Sequence, residues 1–212
     1  MLSKIEIPDV DLDVSDRDKA LASLRHYIKA SQVNNEKVLV PHNTGIYFQN
    51  IPQDPITELA SFPYKEAEES GYFKVDLIPN HVYDLVKSND ELNALLEAPV
   101  NWEWFQDKRF FEAEDTRYQL THLANYHHLC EMYPPKSVED ISCILALIRP
   151  RKKYLVARPW EEIQNKVWEK LDTEDDTHYF FKKSHAVAFG VLVILHAQLI
   201  AKHLGEAEEY FI

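Results

Sequence analysis

Three aspartates alternate with aliphatic residues near the start of the chain, in Pro8-Asp-Val-Asp-Leu-Asp-Val14. Successive side chains of a strand point to opposite faces, so Asp9, Asp11 and Asp13 share one face and Val10, Leu12 and Val14 pack behind them. Carboxylates held that close repel one another. Hard divalent cations prefer such oxygen ligands, and a pair of them can clamp the attacking and leaving oxygens of a phosphoryl displacement. An edge strand kept soluble by its acids accounts for the same alternation, and this segment alone leaves the two readings even.

The remaining chain reads as strands first and helices later. Lys4 to Val14 is a strand, and Ser15 caps a helix to about Ala30, with Asp16 and Asp18 in the first turn where the helix dipole favours acids. Lys37 to Gln49 is strand-like, with His42, Asn43 and Gly45 breaking it. Ile51 to Pro63 carries three prolines and is expected to be a loop. Tyr72 to Ile78 is a strand, and Pro79 and Asn80 start a helix over His81 to Glu97. Beyond that the chain reads as helical, with stops at Pro99, Pro134, Pro150 and Pro159. This order predicts an α+β fold with a small mixed sheet over residues 1–98 and a helical lobe over 99–212.

Composition excludes some classes. A net charge of −12 argues against a general nucleic-acid coat protein, although one cleft can still be basic. Two cysteines, Cys130 and Cys143, do not make a secreted disulfide framework, which points to a reducing, cytoplasmic setting. The amino terminus has no long apolar run, so no signal peptide is expected. Ala186 to Leu195 is apolar, but His196 and Gln198 follow at once, so a buried helix is expected there and no membrane partner.

At Tyr72-Phe-Lys-Val-Asp-Leu-Ile78 a larger pattern emerges. Lys-x-Asp on a strand, after Pro-Asp-x-Asp-x-Asp on an earlier strand, resembles the palm of the bacterial family C replicative DNA polymerases, the polymerase III alpha subunit. Ser137-Val-Glu-Asp-Ile-Ser-Cys-Ile-Leu-Ala-Leu-Ile-Arg-Pro150 resembles the family's Glu-Asp...Ala-Leu-x-Arg-Pro-Gly segment. Phe181-Lys-Lys-Ser-His-Ala-Val-Ala-Phe189 resembles Phe-Asn-Lys-Ser-His-Ala-x-Ala-Tyr, and His42-Asn-Thr-Gly-Ile46 stands where the family has His-Ala-Gly-Gly-Val. Each match is weak alone. Their shared order spans nearly the whole chain.

The resemblance implies a nucleotidyltransferase palm of the polymerase β type followed by a finger-like lobe. It implies that Asp11, Asp13 and Asp76 are the catalytic acids and hold Mg²⁺ or Mn²⁺, and that Asp9 is the motif's leading acid without being a ligand. Lys74 falls beside the third acid, close to the triphosphate. Arg149, Lys183, Ser184 and His185 fall at positions near incoming nucleotide or template. The implied partners are deoxynucleotide triphosphates and primer-template DNA. The basic runs Arg149, Arg151, Lys152, Lys153, Arg158 and Lys182, Lys183 are candidate phosphate contacts in an otherwise acidic chain. The run after Arg149 could instead complement a helix C-terminus, a reading that the recurrence of Lys183-Ser184-His185 in the family order disfavours.

Other residues carry less. His122, His127, His128 and Cys130 invite zinc, but not at a known ligand spacing. Trp102, Trp104 and Phe105 could stack bases, and an aromatic core is the safer expectation.

Departures from the family pattern limit the reading. Arg151 replaces the glycine after Arg-Pro, Lys182 the asparagine before Lys-Ser-His, and Val14 a phenylalanine. The Gly-Ser phosphate-binding segment before the acid strand is missing, and the finger insert is reduced to Lys152 to Tyr179. A chain of 212 residues has no room for the family's phosphatase-like, thumb and clamp-binding domains. The expectation is a reduced, poorly processive polymerase that transfers deoxynucleotides to a DNA 3′ end, in a bacterial or virus-infected cytoplasm. The alternative is an inactive relative that binds nucleotide, DNA or a replication protein able to supply the missing domains.

Overall fold

The acid-bearing segment forms a strand, β1 (Val10–Val14), at one edge of a four-stranded sheet. The structure is a computed structural model that describes residues 10–170 and 181–205; Lys4 to Asp9 of the expected first strand lie outside them. The chain divides into two compact units, Met1–Asp84 and Leu85–Ile212, so the expected helix ending at Glu97 falls on both sides of the division.

In the first unit, Asp16 rather than Ser15 caps α1 (Arg17–Ser23), its carboxylate accepting the N–H groups of Asp18 and Lys19. The helix does not reach Ala30. Leu24 turns extended, and Ile28–Val33 is a strand, β2, whose Ile28 and Ala30 enter the core. Pairing with β3 (Leu39–Tyr47) decides this conformation, an instance of tertiary contact overriding local propensity. Pro63 opens the short α2 (Tyr64–Glu69), and Gly71, at φ 85°, supplies the left-handed residue just beyond it. β4 (Val75–Pro79) completes a sheet of order β1-β4-β3-β2, in which β1 runs parallel to β4 and the other pairs are antiparallel. Leu21, Ile46, Val75 and Leu77 form one core cluster of this unit, with Val10 and Val14 packed against it.

β3 is irregular where the sequence breaks. Lys29 of β2 lies opposite Ile46, but Ser31 lies opposite Pro41, so two residues of advance along β2 are matched by five along β3. Four residues, His42-Asn-Thr-Gly45, thus stand against Ala30 alone and form a bulge beside β4. Bulges bend a strand and re-aim its side chains.

The second unit is helical, as expected, but much of it is short turns. The expected helix over His81 to Glu97 is a 3-10 turn (His81–Leu85) and then α3 (Asn89–Glu97), because Ser88 starts a new helix by accepting the Glu91 N–H. Three further 3-10 turns, Trp102–Gln106, Lys108–Phe110 and Thr116–Tyr118, are capped by Asn101, Asp107 and Asp115. α4 (His127–Met132), α5 (Val138–Leu147), a 3-10 turn (Pro150–Leu155), α6 (Trp160–Lys166) and α7 (Lys183–His203) follow. α5 and α7 form the centre of this unit and meet at Gly190, where a Cβ would stand 2.9 Å from Ser142 Oγ. Trp104 and Phe105 are buried in the same core and Trp102 packs against it, as the core reading expects.

α7 is long and apolar enough to cross a membrane, the only such helix among the described residues, and most of it is buried inside its unit. His196, which breaks the apolar run, is fully buried. Its Nδ1 accepts the Thr121 N–H at 3.0 Å and its Nε2 donates to the Arg117 carbonyl at 2.8 Å.

Candidate functional site

The parallel register of β1 and β4 places Asp11 directly beside Asp76. Asp13 lies two residues along β1, so all three acids share one face of the sheet. On the other side of β4, Asp76 is paired with Gly45. Across the sheet the order is therefore Asp11, Asp76 and then the bulge of β3.

The three acids have different surroundings. Asp13 accepts a long hydrogen bond from the Tyr83 hydroxyl at 3.4 Å. Its pKa is raised, first by burial and in smaller part by the Asp11 charge, with Tyr83 opposing. Asp76 is more enclosed, its side chain 14% exposed. Its Oδ2 pairs with the ammonium of Lys74, and its Oδ1 accepts a hydrogen bond from Thr44 Oγ1 at 2.8 Å.

The bulge builds the wall around that pair. His42 Nδ1 accepts the Gly45 N–H at 2.9 Å, with the Thr44 N–H at 3.3 Å. A nitrogen that accepts cannot also carry a proton toward Asp76 Oδ1, 3.6 Å away. His42 is therefore neutral, with its proton on Nε2. Burial, followed by the charge of Lys74, lowers its pKa, in agreement with that protonation state. Arg17 adds to the positive field on His42, and its own Nε is buried without a hydrogen-bond partner among the described residues. The Lys74 ammonium also lies 5.7 Å from the centre of the Tyr64 ring, which stands edge-on to His42.

The donor chemistry suits a hard divalent cation, with three carboxylates on one face and Asp13 crowded by Asp11. The placement is less complete. Among the described residues no three acid, histidine or cysteine side chains are grouped to hold a metal ion, and both oxygens of Asp76 are engaged. The same holds for the suggested zinc set. His127 Nε2 lies 3.0 Å from the Gln106 carbonyl, and burial pushes the Cys130 thiol up to about 12.

The other expected site residues belong to the second unit. Arg149 caps the turn after α5 and lies 4.0 Å over the Phe181 ring, its Nε buried without a hydrogen-bond partner among the described residues. Lys183 and Ser184 are exposed in the first turn of α7, His185 is half-buried there, and Lys183 lies 5.8 Å over Trp168. Lys153 and Lys182 are exposed and Arg151 is half-buried. Lys152 is turned inward, 5% exposed, and donates to the Glu169 carbonyl. That geometry makes it a tie between the turn after α5 and the segment that follows α6 rather than a surface phosphate contact.

No protein-family model, curated protein or solved structure matches this chain. The acid face is thus characterised by its own geometry.

Sequence reasoning did not single out Arg17, Tyr64 or Tyr83. Arg17 follows the acid strand by three residues and carried a signal in that closeness. Tyr64 and Tyr83 reach the acid face only through the folding of α2 and the turn after β4, and no local spacing announces them.

Proposed function

We propose that the acid face of the first unit is the remnant or working form of a nucleotidyl-transfer site of family C type. It would act on deoxynucleotide triphosphates and a primer-template DNA 3′ end in a cytoplasmic setting. The observation that carries this reading is the register of Asp11 against Asp76, with Asp13 on the same face and Lys74 beside the third acid. That is the layout the sequence resemblance requires of a polymerase β-like palm, and a strand kept soluble by its acids does not explain why an acid on β4 and the buried lysine just before that strand join it.

The roles follow from the chemistry. Asp11 and Asp13 present carboxylate oxygens to a divalent cation, and Lys74 supplies positive charge where a triphosphate would develop negative charge. Bound Mg²⁺ or Mn²⁺ would supply Lewis-acid activation of the attacking and leaving oxygens. Arg149, Lys183, Ser184 and His185 are proposed nucleotide contacts, and Arg151, Lys153 and Lys182 proposed DNA contacts. Each rests on the resemblance alone.

One observation favours a second reading, a non-catalytic relative that binds nucleotide, DNA or a replication protein. Asp76 is already neutralised by Lys74 and hydrogen-bonded by Thr44. Primer extension with Mn²⁺ on template, single-stranded and no-template substrates separates the two. Slow, distributive, salt-sensitive addition that Asp76→Asn abolishes supports catalysis. Equal background in wild type and variant ends that reading, and retained binding of triphosphate or primer-template would then favour the binder.

A further inference from the structure

We infer that Lys74 is a displaceable counter-ion: it neutralises Asp76 in the cation-free protein, and a divalent cation that recruits the Asp76 oxygen paired with Lys74 must expel the ammonium from it. This rests on the proposed metal site but goes beyond it, because it assigns the site a closed state and an order of events.

Three features carry the inference. First, the pair is enclosed, Lys74 side chain 7% and Asp76 14% exposed, so the carboxylate has a fixed cation rather than solvent as its neutralising partner. Second, the seat is shaped for the lysine stem. Gly45 lies directly beside Asp76, and a Cβ there would stand 2.8 Å from Lys74 Cδ and 3.0 Å from His42 Nδ1. The bulge thus leaves a channel that only a residue without a side chain opens. Third, an aromatic ring already stands beside the paired ammonium. The Tyr64 ring lies 5.7 Å from Nζ, close enough to attract the cation by its π face after it leaves Asp76. Asp11 is one strand away on the same face, so a divalent cation held by Asp11 and Asp13 would approach the carboxylate from the side opposite the bulge. A cation that near Lys74 repels it, and Asp76 cannot satisfy both through the same oxygen.

The test compares Mn²⁺ binding by wild type, Lys74→Met and the Asp11→Asn, Asp13→Asn double variant, with no nucleotide or DNA present. Methionine keeps the length of the stem and removes the charge. Lys74→Met is expected to bind Mn²⁺ on the order of tenfold more tightly than wild type, since no resident charge must leave. Its melting temperature without metal is expected to fall, and Mn²⁺ is expected to raise that temperature more than it does in wild type. A second measurement needs no variant. The ¹⁵N resonance of the Lys74 ammonium in wild type should shift as Mg²⁺ is added and follow the same saturation curve as metal binding. Wild-type binding that depends on Asp11 and Asp13, with equal or weaker binding by Lys74→Met, overturns the counter-ion role alone. If Lys74→Met does not fold, an unmoved Lys74 resonance at Mg²⁺ saturation overturns it. Equal Mn²⁺ binding in wild type and the double aspartate variant, or none in any protein, overturns the metal site itself and this inference with it.

Discussion

Asp11 and Asp76 stand directly opposite one another on neighbouring parallel strands, although sixty-odd residues of chain separate them. Their closeness is produced by pairing, and it is what makes the acid face more than a charged edge. Gly45 lies against the same aspartate from the far side, so β4 is held between a strand of acids and a strand that bends around the lysine.

The acid face disfavours the charge of Asp13, chiefly by burying it. Burial and the Asp11 charge both raise its pKa, which means the folded state disfavours its ionised form. Neutralising it should therefore stabilise the metal-free protein. Asp13→Asn is expected to raise the melting temperature in EDTA at pH 7 by about 2 °C, while Mn²⁺ should protect the variant less than wild type. A lower melting temperature in EDTA would show that Tyr83 compensates the charge fully.

Gly45 should be intolerant for a steric reason, not a conformational one. It is absent from the positive-φ residues, but its missing side chain is filled by Lys74 Cδ, Ala30 Cβ and His42 Nδ1. Gly45→Ala is expected to cost about 1–3 kcal/mol in denaturant unfolding, as overpacking does elsewhere. Removing the lysine stem should relieve part of that. In a double-mutant cycle Gly45→Ala is expected to cost less in a Lys74→Ala background, and strict additivity would show that Lys74 is not the group that clashes.

The sequence made the acid strand legible because period-two alternation is local. Lys74 and Asp76 were legible for the same reason, being two residues apart in one extended segment. The pairing of β1 with β4 was not, since register depends on a turn and a crossover that no short window contains. The start of β2, Ile28 to Ala30, was misread as the end of a helix because Ile28–Val33 has no strict alternation and continues from a helix of good propensity; its strand character comes from β3. His42, Asn43 and Gly45 were seen as an interruption, which they are, but the interruption is a bulge that shapes a site. Lys152 shows the opposite error, a basic run being read as surface when one member is folded inward onto the Glu169 carbonyl.

His196 illustrates a polar residue inside an apolar run whose purpose only tertiary structure reveals. It bridges the Thr121 N–H and the Arg117 carbonyl from the middle of α7. His196→Leu would bury both backbone groups without that partner. The expected loss is about 2–4 kcal/mol, read as a lower urea midpoint with unchanged slope. His196→Gln, which can both donate and accept, should recover part of it. A loss below 1 kcal/mol for the leucine variant, by the same scale, would mean that water replaces the histidine.

The pH dependence of the second unit should include a contribution from Glu91. The Lys202 ammonium donates to its Oε1 at 2.7 Å, and the Lys87 N–H donates to its Oε2 at 2.6 Å. The Lys202 hydrogen bond is the largest cause of a lowered pKa, with burial opposing it. Ser88 Oγ accepts the Glu91 N–H, so the pair closes the start of α3 while Lys202 ties it to the end of α7. A depressed native pKa contributes stability that is fully present above the ordinary glutamate value of 4.5 and is lost as the pH falls through the native value below it. Lys202 is 40% exposed, so solvent screening discounts the charge contribution, leaving about 1 kcal/mol from the pair and the cap together. Glu91→Gln is therefore expected to lower stability by about that amount at pH 7, and the gap to wild type should close as the pH drops below 4.5. Added salt should narrow the gap at pH 7 without abolishing it, because the backbone hydrogen bond from Lys87 is not an ion pair. A gap that stays constant from pH 7 down through acid unfolding would show that the glutamate charge contributes nothing and that packing alone explains the variant.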